Sequence, residues 1–148
     1  MTRLVTLVAI VLAVVSTIAE ARSKRIHVTA EVTQATFIGT PAEPQLGDRS
    51  ITNVDLFDKH HTKVGTGTGV CTVVSVPPLD TRVQCLLSAT FDDEGQIIFG
   101  GLAPLPEVGV VVQFGILGGT EKFRKARGVV TLAVLTPELT QEATFELE

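Results

Sequence analysis

The sequence contains few of the side chains that most often act as nucleophiles, proton-transfer groups or metal ligands. It contains two cysteines, three histidines and neither tryptophan nor tyrosine among 148 residues. No cysteine–histidine spacing suits zinc, no serine, histidine and aspartate combine into a nucleophilic set, and no glycine-rich loop precedes a helix. His60 and His61 are adjacent with no third ligand spaced for them, and we interpret them as part of a solvated turn. We therefore expect neither a metal site nor a cofactor.

Charged residues are also scarce. They make up 19% of the chain, and the net charge is −4. One basic cluster lies at residues 122–127, but a nucleic-acid surface spreads such charge over a whole face and adds stacking aromatic residues. We expect no nucleic-acid partner.

The N-terminal segment accounts for most of the apolar excess. A short basic start (Met1 to Arg3) precedes an almost continuous apolar run over residues 4–18, and residues 19–21 (Ala-Glu-Ala) have the form that signal peptidase reads. We predict a secretory signal peptide over residues 1–21 and a single secreted domain over residues 22–148. A retained anchor is the alternative, but about 15 apolar residues fall short of the roughly 20 that span a bilayer, so no stable membrane anchor is expected.

The rest of the chain has the pattern of an all-β protein. Runs rich in Val, Ile, Thr and Phe recur, each closed by Gly, Pro or Asp, and no window shows a sustained helical period. The turns between them are short enough to join antiparallel neighbours. The predicted strands are 26–37, 50–57, 62–76, 82–91, 96–101, 108–116, 128–135 and 142–147.

Eight antiparallel strands without helices either stack as a sandwich or close into a barrel. Closure removes both exposed edges and leaves an interior that side chains fill or that holds one small ligand. Gly65, Gly67 and Gly69 alternate along one strand, so they share a face on which missing side chains permit sharp coiling or leave room inside. We predict a closed eight-stranded antiparallel barrel.

The two cysteines lie on the strands that flank the turn at residues 77–80. In the register in which Ser75 faces Thr81, Cys71 and Cys85 are directly opposite each other, within the span that a disulfide allows. We predict a Cys71–Cys85 disulfide, with two neighbouring free thiols as the alternative.

The same pairing predicts one wall of the interior. Strand alternation puts Cys85, Leu87, Ala89 and Phe91 on one side of their strand, and the cross-strand pairing places Cys71 with them. We predict that these residues face inward, with Phe91, Leu87, Ala89 and Cys71 lining a pocket.

Several segments resemble a known family. Residues 118–128 (GGTEKFRKARG) resemble the GGTGxFxxARG signature of plant dirigent proteins and, more broadly, the GG[ST]GxF element of the allene oxide cyclase barrel. Residues 46–53, 65–71 (GTGTGVC) and 91–97 (FDDEGQI) are similar to the LGD and FTN, GxTxGxC and FGDYGHI segments of the cyclases. The resemblance covers roughly residues 46–147 and implies an eight-stranded antiparallel barrel with a largely apolar interior.

The resemblance also implies site residues. Plant cyclases of this family turn an unstable fatty-acid epoxide into a cyclopentenone without a cofactor, using an apolar cavity, a water held by Asn and a Glu near the pocket end. Asn53 falls on the Asn of the FTN segment, and Glu31 lies in a run similar to the first-strand EINE, so both are implied as catalytic residues. Strand parity offers a competing position for Glu31, because Val28, Ala30 and Val32 share the opposite face; if they line the interior, Glu31 lies outside.

Two departures separate the chain from the plant cyclases. It has no tyrosine to match the tyrosine of the family's pocket, and Glu121 occupies the place of a glycine in the signature. The leading prediction is an exported, cofactor-free barrel that folds an apolar small molecule of oxylipin, polyene or polyketide type for ring formation or isomerisation. The alternatives are a non-catalytic dirigent-type barrel, which steers reactive intermediates made by another enzyme, and a structural protein with a filled interior. Assembly into a homo-oligomer is left open.

Overall fold

The computed structural model describes residues 24–148. The predicted signal peptide lies outside the described residues, so its cleavage and the start of the mature domain remain predictions. The strands are β1 (Lys24–Ile38), β2 (Arg49–Phe57), β3 (Lys63–Ser75), β4 (Arg82–Phe91), β5 (Gly95–Pro104), β6 (Val111–Gly119), β7 (Gly128–Val134) and β8 (Gln141–Leu147), with a 3-10 turn at Glu121–Phe123.

The strands form one closed barrel. Each strand pairs antiparallel with the next along the chain, and β8 pairs with β1 to close the ring. The predicted all-β, eight-stranded antiparallel barrel is therefore confirmed. Among the described residues, no helix has the length and apolarity needed to cross a membrane.

Strand boundaries differ from the predicted ones mainly around β5 and β6. Gly100 and Gly101 remain paired with β4, so β5 continues to Pro104. β6 begins at Val111 because the preceding residues form a turn, in which Val110 N–H donates to the Glu107 carbonyl and Gly109 has a φ of 85°. The glycine gives this turn a left-handed backbone without a steric cost.

The cysteines are opposed as predicted. Cys71 pairs with Cys85 in the β3–β4 ladder, their Cα atoms lie 4.1 Å apart, and their sulfurs are bonded. A register shift between Val73 and Ser75 makes Ser75 face Arg82 instead of Thr81. The predicted register therefore holds at the disulfide and slips by one residue beyond it.

The barrel has two different ends. Antiparallel succession from strand to strand places alternate connections at opposite ends. We call one end the mouth, formed by loops 39–48, 76–81, 105–110 and 135–140, and the other the closed end, formed by turns 58–62, 92–94 and 120–127.

Aromatic rings seal the closed end. Phe91 packs against Phe123 and Phe145 with ring centroids 5.6 Å apart in each pair, and all three residues are buried. Lys24 Nζ lies 5.4 Å from the Phe123 ring centroid. The GGTEKF segment therefore acts as architecture, because its phenylalanine plugs the barrel.

Candidate functional site: an apolar cavity

A cavity of about 500 Å³ occupies the barrel between the mouth and the aromatic floor. All eight strands contribute to its wall, largely through alanine, valine, leucine and glycine. The floor is made by Phe99, Phe114 and Phe145, which pack with ring centroids 5.5–6.3 Å apart. A volume of this size is typical of sites that enclose one small organic ligand.

The glycines of β3 help to shape the cavity wall. A Cβ at Gly67 would lie 2.8 Å from Val54 Cγ2, and one at Gly69 would lie 2.9 Å from Leu87 Cδ2. The missing side chains let Val54 and Leu87 extend across β3. The room that the alternating glycines predicted is therefore taken partly by neighbouring side chains.

Polar groups are few and lie away from the floor. The inward side of β2 presents Ser50 and Thr52, and Gln141 lies at the start of β8. Glu107, in a mouth loop, is the one ionisable residue on the described cavity wall. Among the described residues, no polar or charged residue is buried. Within residues 24–148, the deep part of the cavity thus offers apolar contact and no acid or base.

The predicted pocket residues are mostly on this wall. Cys71, Leu87 and Ala89 line the cavity, and Ala89 is only 2% exposed. Phe91 shares their inward face but does not line the cavity, because it lies below the floor among the closed-end aromatics. Its assignment to the pocket is corrected to a place in the plug.

Asn53 does not reach the cavity. Its neighbours Thr52 and Val54 are on the cavity wall, and alternation along β2 turns Asn53 outward. There its Nδ2 donates to Gln34 Oε1 at 3.2 Å, beside a shallow polar groove on the barrel surface. The expectation that Asn53 holds a water in an apolar pocket does not agree with this position.

Glu31 also lies on the outer surface, as the parity argument predicted. It is paired with Asp55 across the β1–β2 ladder, and its Oε1 lies 3.9 Å from His61 Nδ1. Asp55 forms an ion pair with Lys63, with Oδ1 and Nζ 2.7 Å apart. Asn53 and Glu31 therefore do not converge on one apolar site.

The histidine pair occupies the closed-end turn. Asp58 Oδ1 accepts hydrogen bonds from the backbone N–H groups of Thr62 and His60, at 2.9 and 2.8 Å. The bond from Thr62 is the larger cause of a lowered pKa for Asp58. In the part of the chain that the structure describes, no three His, Cys, Asp or Glu side chains converge as metal ligands.

The family resemblance did not indicate the two polar residues that β2 places on the cavity wall. Ser50 and Thr52 are in phase with Val54 and Leu56, so strand alternation alone was the signal that could have placed them inside. The resemblance indicated Asn53 instead, which lies on the opposite face of β2 from Val54 and Leu56.

A closed antiparallel barrel with one sealed end and an apolar cavity opening at the other defines a class of barrels suited to binding small molecules. Within that class, the chain belongs to the family described as "Allene oxide cyclase barrel like domain", whose model matches residues 24–147. The resemblance seen in the sequence is thereby confirmed. No curated protein sequence matches the chain significantly.

Solved structures with this fold include proteins of different activities. A pyocyanin demethylase is 23% identical, with a TM-score of 0.72 over 84% of this chain and 100% of that one. AbnU, an exo-specific intermolecular Diels-Alderase, is 19% identical, with a TM-score of 0.72 over 84% and 97%. The pterocarpan synthase dirigent protein GePTS1 is 16% identical, with a TM-score of 0.64 over 85% and 86%. At these identities, the likeness shows a shared fold.

Proposed function

We propose that this protein binds one apolar small molecule in its cavity and promotes ring formation or isomerisation by holding that molecule in a folded conformation. The observation that carries the proposal is a cavity of about 500 Å³ whose depth is walled by apolar side chains. The fold shared with a Diels-Alderase and a dirigent protein supports the same class of role.

The lining of the cavity restricts the mechanism. Among the residues that the structure describes, the deep wall has no ionisable side chain, so the favoured reactions are those in which bonding electrons rearrange within the substrate. Confining a flexible chain near its reactive conformation can lower a barrier by up to about 7–11 kcal/mol. Ser50 and Thr52 are placed to hydrogen-bond a substrate oxygen and fix its orientation, which makes oxygen-bearing polyenes or polyketides the preferred substrates.

Occupancy of the cavity is tested with two neighbouring substitutions. Leu87 lines the cavity, whereas Leu86 is 58% exposed on the outer wall. We expect Leu87→Trp to fill the cavity and weaken binding of the neutral dye N-phenyl-1-naphthylamine at least about tenfold, while Leu86→Trp changes it less than about twofold.

Dye fluorescence measures binding, and circular dichroism checks that both variants remain folded. The chain has no tryptophan, so each variant also carries a single fluorescent reporter. An absence of dye binding, or equal binding to both variants, would contradict the proposed site.

A dirigent-type role uses the same cavity without accelerating the reaction. It is favoured because the described part of the deep wall presents no acid or base, and orientation alone needs neither. Single-turnover analysis of a linear polyene substrate separates the two roles. A faster ring closure with the barrel indicates a cyclase, whereas an unchanged rate with an altered isomer ratio indicates steering.

We also propose that the chain is exported and processed after Ala21. The apolar run over residues 4–18 and the small residues at 19–21 support this, and the Cys71–Cys85 disulfide is compatible with an oxidising compartment. Intact-mass measurement of the protein recovered from outside the cell tests it. A mature chain beginning near Arg22 is expected, and an unprocessed chain retained in the cell would contradict the proposal.

A further inference from the structure

We infer that the cavity accepts amphiphiles whose apolar tail enters first and whose head group is neutral or positively charged, and that it disfavours anionic head groups. This inference rests on the proposed function because it requires a ligand in the cavity. It narrows the substrate class, since a molecule with a free carboxylate becomes a poor candidate.

The first observation is a gradient of polarity along the barrel axis. The floor residues Phe99, Phe114 and Phe145 are at most 4% exposed, and no charge accompanies them on the described wall. The polar side chains lie nearer the mouth, where Glu107 is in contact with the same cavity. An ionised head group would lose its hydration at the floor without a compensating partner, so the tail occupies the floor and the head remains at the mouth.

The second observation is the charge of the mouth itself. Each of the four mouth loops contains at least one carboxylate, and none contains lysine or arginine. The closed end differs, because acidic turn 92–94 is accompanied there by the basic cluster at 122–127. The asymmetry is therefore local and does not simply reflect the net charge. The mouth carboxylates are Glu43, Asp48, Asp80, Glu107 and Glu138.

Nearby lysine and arginine side chains of the described residues do not form ion pairs with these mouth carboxylates. Within the described residues, every ion pair lies on the outer wall or near the closed end, and none includes a mouth carboxylate. Arg49 and Arg82 begin β2 and β4 just below the loops, and alternation directs both away from the cavity. Asp48 accepts hydrogen bonds from the backbone N–H groups of Thr40 and Gln45. Its carboxylate therefore stabilises loop 39–48, and we do not count it among the groups that act on a ligand.

Four exposed carboxylates remain on the loops at the opening through which a head group must project, and one of them, Glu107, lines the cavity. At the physiological Debye length of about 8 Å, each contributes a modest repulsion to an anion and a matching attraction to a cation. Their fields add at one point, because the loops surround a single mouth. We expect a difference of about tenfold or more in affinity between cationic and anionic amphiphiles with the same tail.

The test is competition for the cavity by three matched ten-carbon probes at pH 7.4. Decylammonium, 1-decanol and decanoate displace N-phenyl-1-naphthylamine, whose fluorescence reports occupancy. We expect decanoate to bind at least about tenfold more weakly than decylammonium, with 1-decanol between them. Raising the ionic strength to about 0.5 M should shrink that ratio, because exposed charges are screened.

Two quadruple variants with equal net charge locate the effect. The mouth variant combines Glu43→Gln, Asp80→Asn, Glu107→Gln and Glu138→Gln; the control combines Asp92→Asn, Asp93→Asn, Glu121→Gln and Glu148→Gln at the closed end, where all four residues are exposed. The mouth variant should reduce the decylammonium-to-decanoate ratio to about threefold or less, and the control should keep most of it.

The outcomes separate this inference from the proposed function. If all three probes bind equally well to the unmodified protein, the cavity is a binding site and the charge inference is wrong. If both quadruple variants change the ratio equally, net charge is responsible and the mouth assignment is wrong. If neither the dye nor any probe binds, both the proposed function and this inference fail.

Discussion

Side-chain direction along β2 decides which of its polar residues can reach a ligand. Thr52 lies on the cavity wall, whereas the next residue, Asn53, bonds to Gln34 on the outside of the barrel. A change of one position along a strand moves a side chain to the opposite face. In this barrel, that one position separates a candidate ligand contact from a surface residue.

We therefore expect the two family-implied residues to be dispensable for binding. Asn53→Ala and Glu31→Gln should each change dye affinity, and the rate with any identified substrate, by less than about twofold, because neither side chain contacts the cavity. Thr52→Val is the matched variant on the cavity wall, because it removes a hydroxyl while keeping the shape of the side chain. A loss of turnover in the Asn53 or Glu31 variant with Thr52→Val unaffected would restore the family assignment.

Glu121 stores strain at a single residue. It has a φ of 50°, in the left-handed region, at the position where the family signature has glycine. The left-handed conformation costs a residue with a side chain roughly 1–2 kcal/mol, partly offset by the greater entropy that glycine loses on folding. We expect Glu121→Gly to raise the free energy of unfolding by about 0.5–1 kcal/mol, measured by urea denaturation.

Lys125→Gly is the control for that change. Lys125 is exposed in the same loop and does not have a positive φ, so glycine there should lower stability or leave it unchanged. Equal effects of the two substitutions would show that Glu121 is not strained.

Within strand β3, the glycines at positions 65, 67 and 69 are needed for different reasons. A Cβ at Gly65 would overlap the carbonyl oxygen of Thr90 in the neighbouring strand, whereas Gly67 and Gly69 make room for side chains. Backbone cannot move aside without breaking the β3–β4 ladder. The first glycine of the GTGTG run therefore permits strand pairing, and the next two shape the cavity.

We expect Gly65→Ala to destabilise the barrel by roughly 1–3 kcal/mol, because an added methyl must displace backbone. Gly115 in β6 provides a matched control, since a Cβ there would meet no atom of the described residues within 4 Å. Gly115→Ala should leave stability unchanged or raise it slightly. Thermal unfolding compares the two, and an unaffected melting temperature for Gly65→Ala would contradict the predicted clash.

The molecule as a whole consists of an open half, which holds the cavity, and a packed half at the closed end. Phe91 and Phe123 fill the closed end, and Phe145 packs on Phe91 from the floor of the cavity. A ligand entering at the mouth therefore changes the solvation of one half only.

Hydrogen exchange should show this division. With N-phenyl-1-naphthylamine bound, we expect slower amide exchange in mouth loops 105–110 and 135–140, which contribute residues to the cavity, and little change in closed-end turns 92–94 and 120–127. Mass spectrometry of the free and dye-bound protein measures the difference. Protection confined to the closed end would show that the dye binds elsewhere.

Local patterns in the sequence determined the strands of the barrel and their order. Alternating apolar residues, turn residues at regular intervals and the separation of Cys71 and Cys85 predict the strands, their antiparallel order and the disulfide, because each depends on residues close in the chain. The inward face of β4 followed from the same period of two, and the structure agrees with it. The family resemblance added independent support for the same fold.

Tertiary structure alone decided how the interior is divided. Phe91 lies below the cavity instead of on its wall. It packs there against Phe123 and Phe145, which come from distant parts of the chain. The open mouth and its ring of carboxylates arise because four loops separated in sequence meet at one end of the barrel. Strand alternation assigns a side chain to one of two faces, but only closure of the whole sheet determines what each inward residue meets and which end admits a ligand.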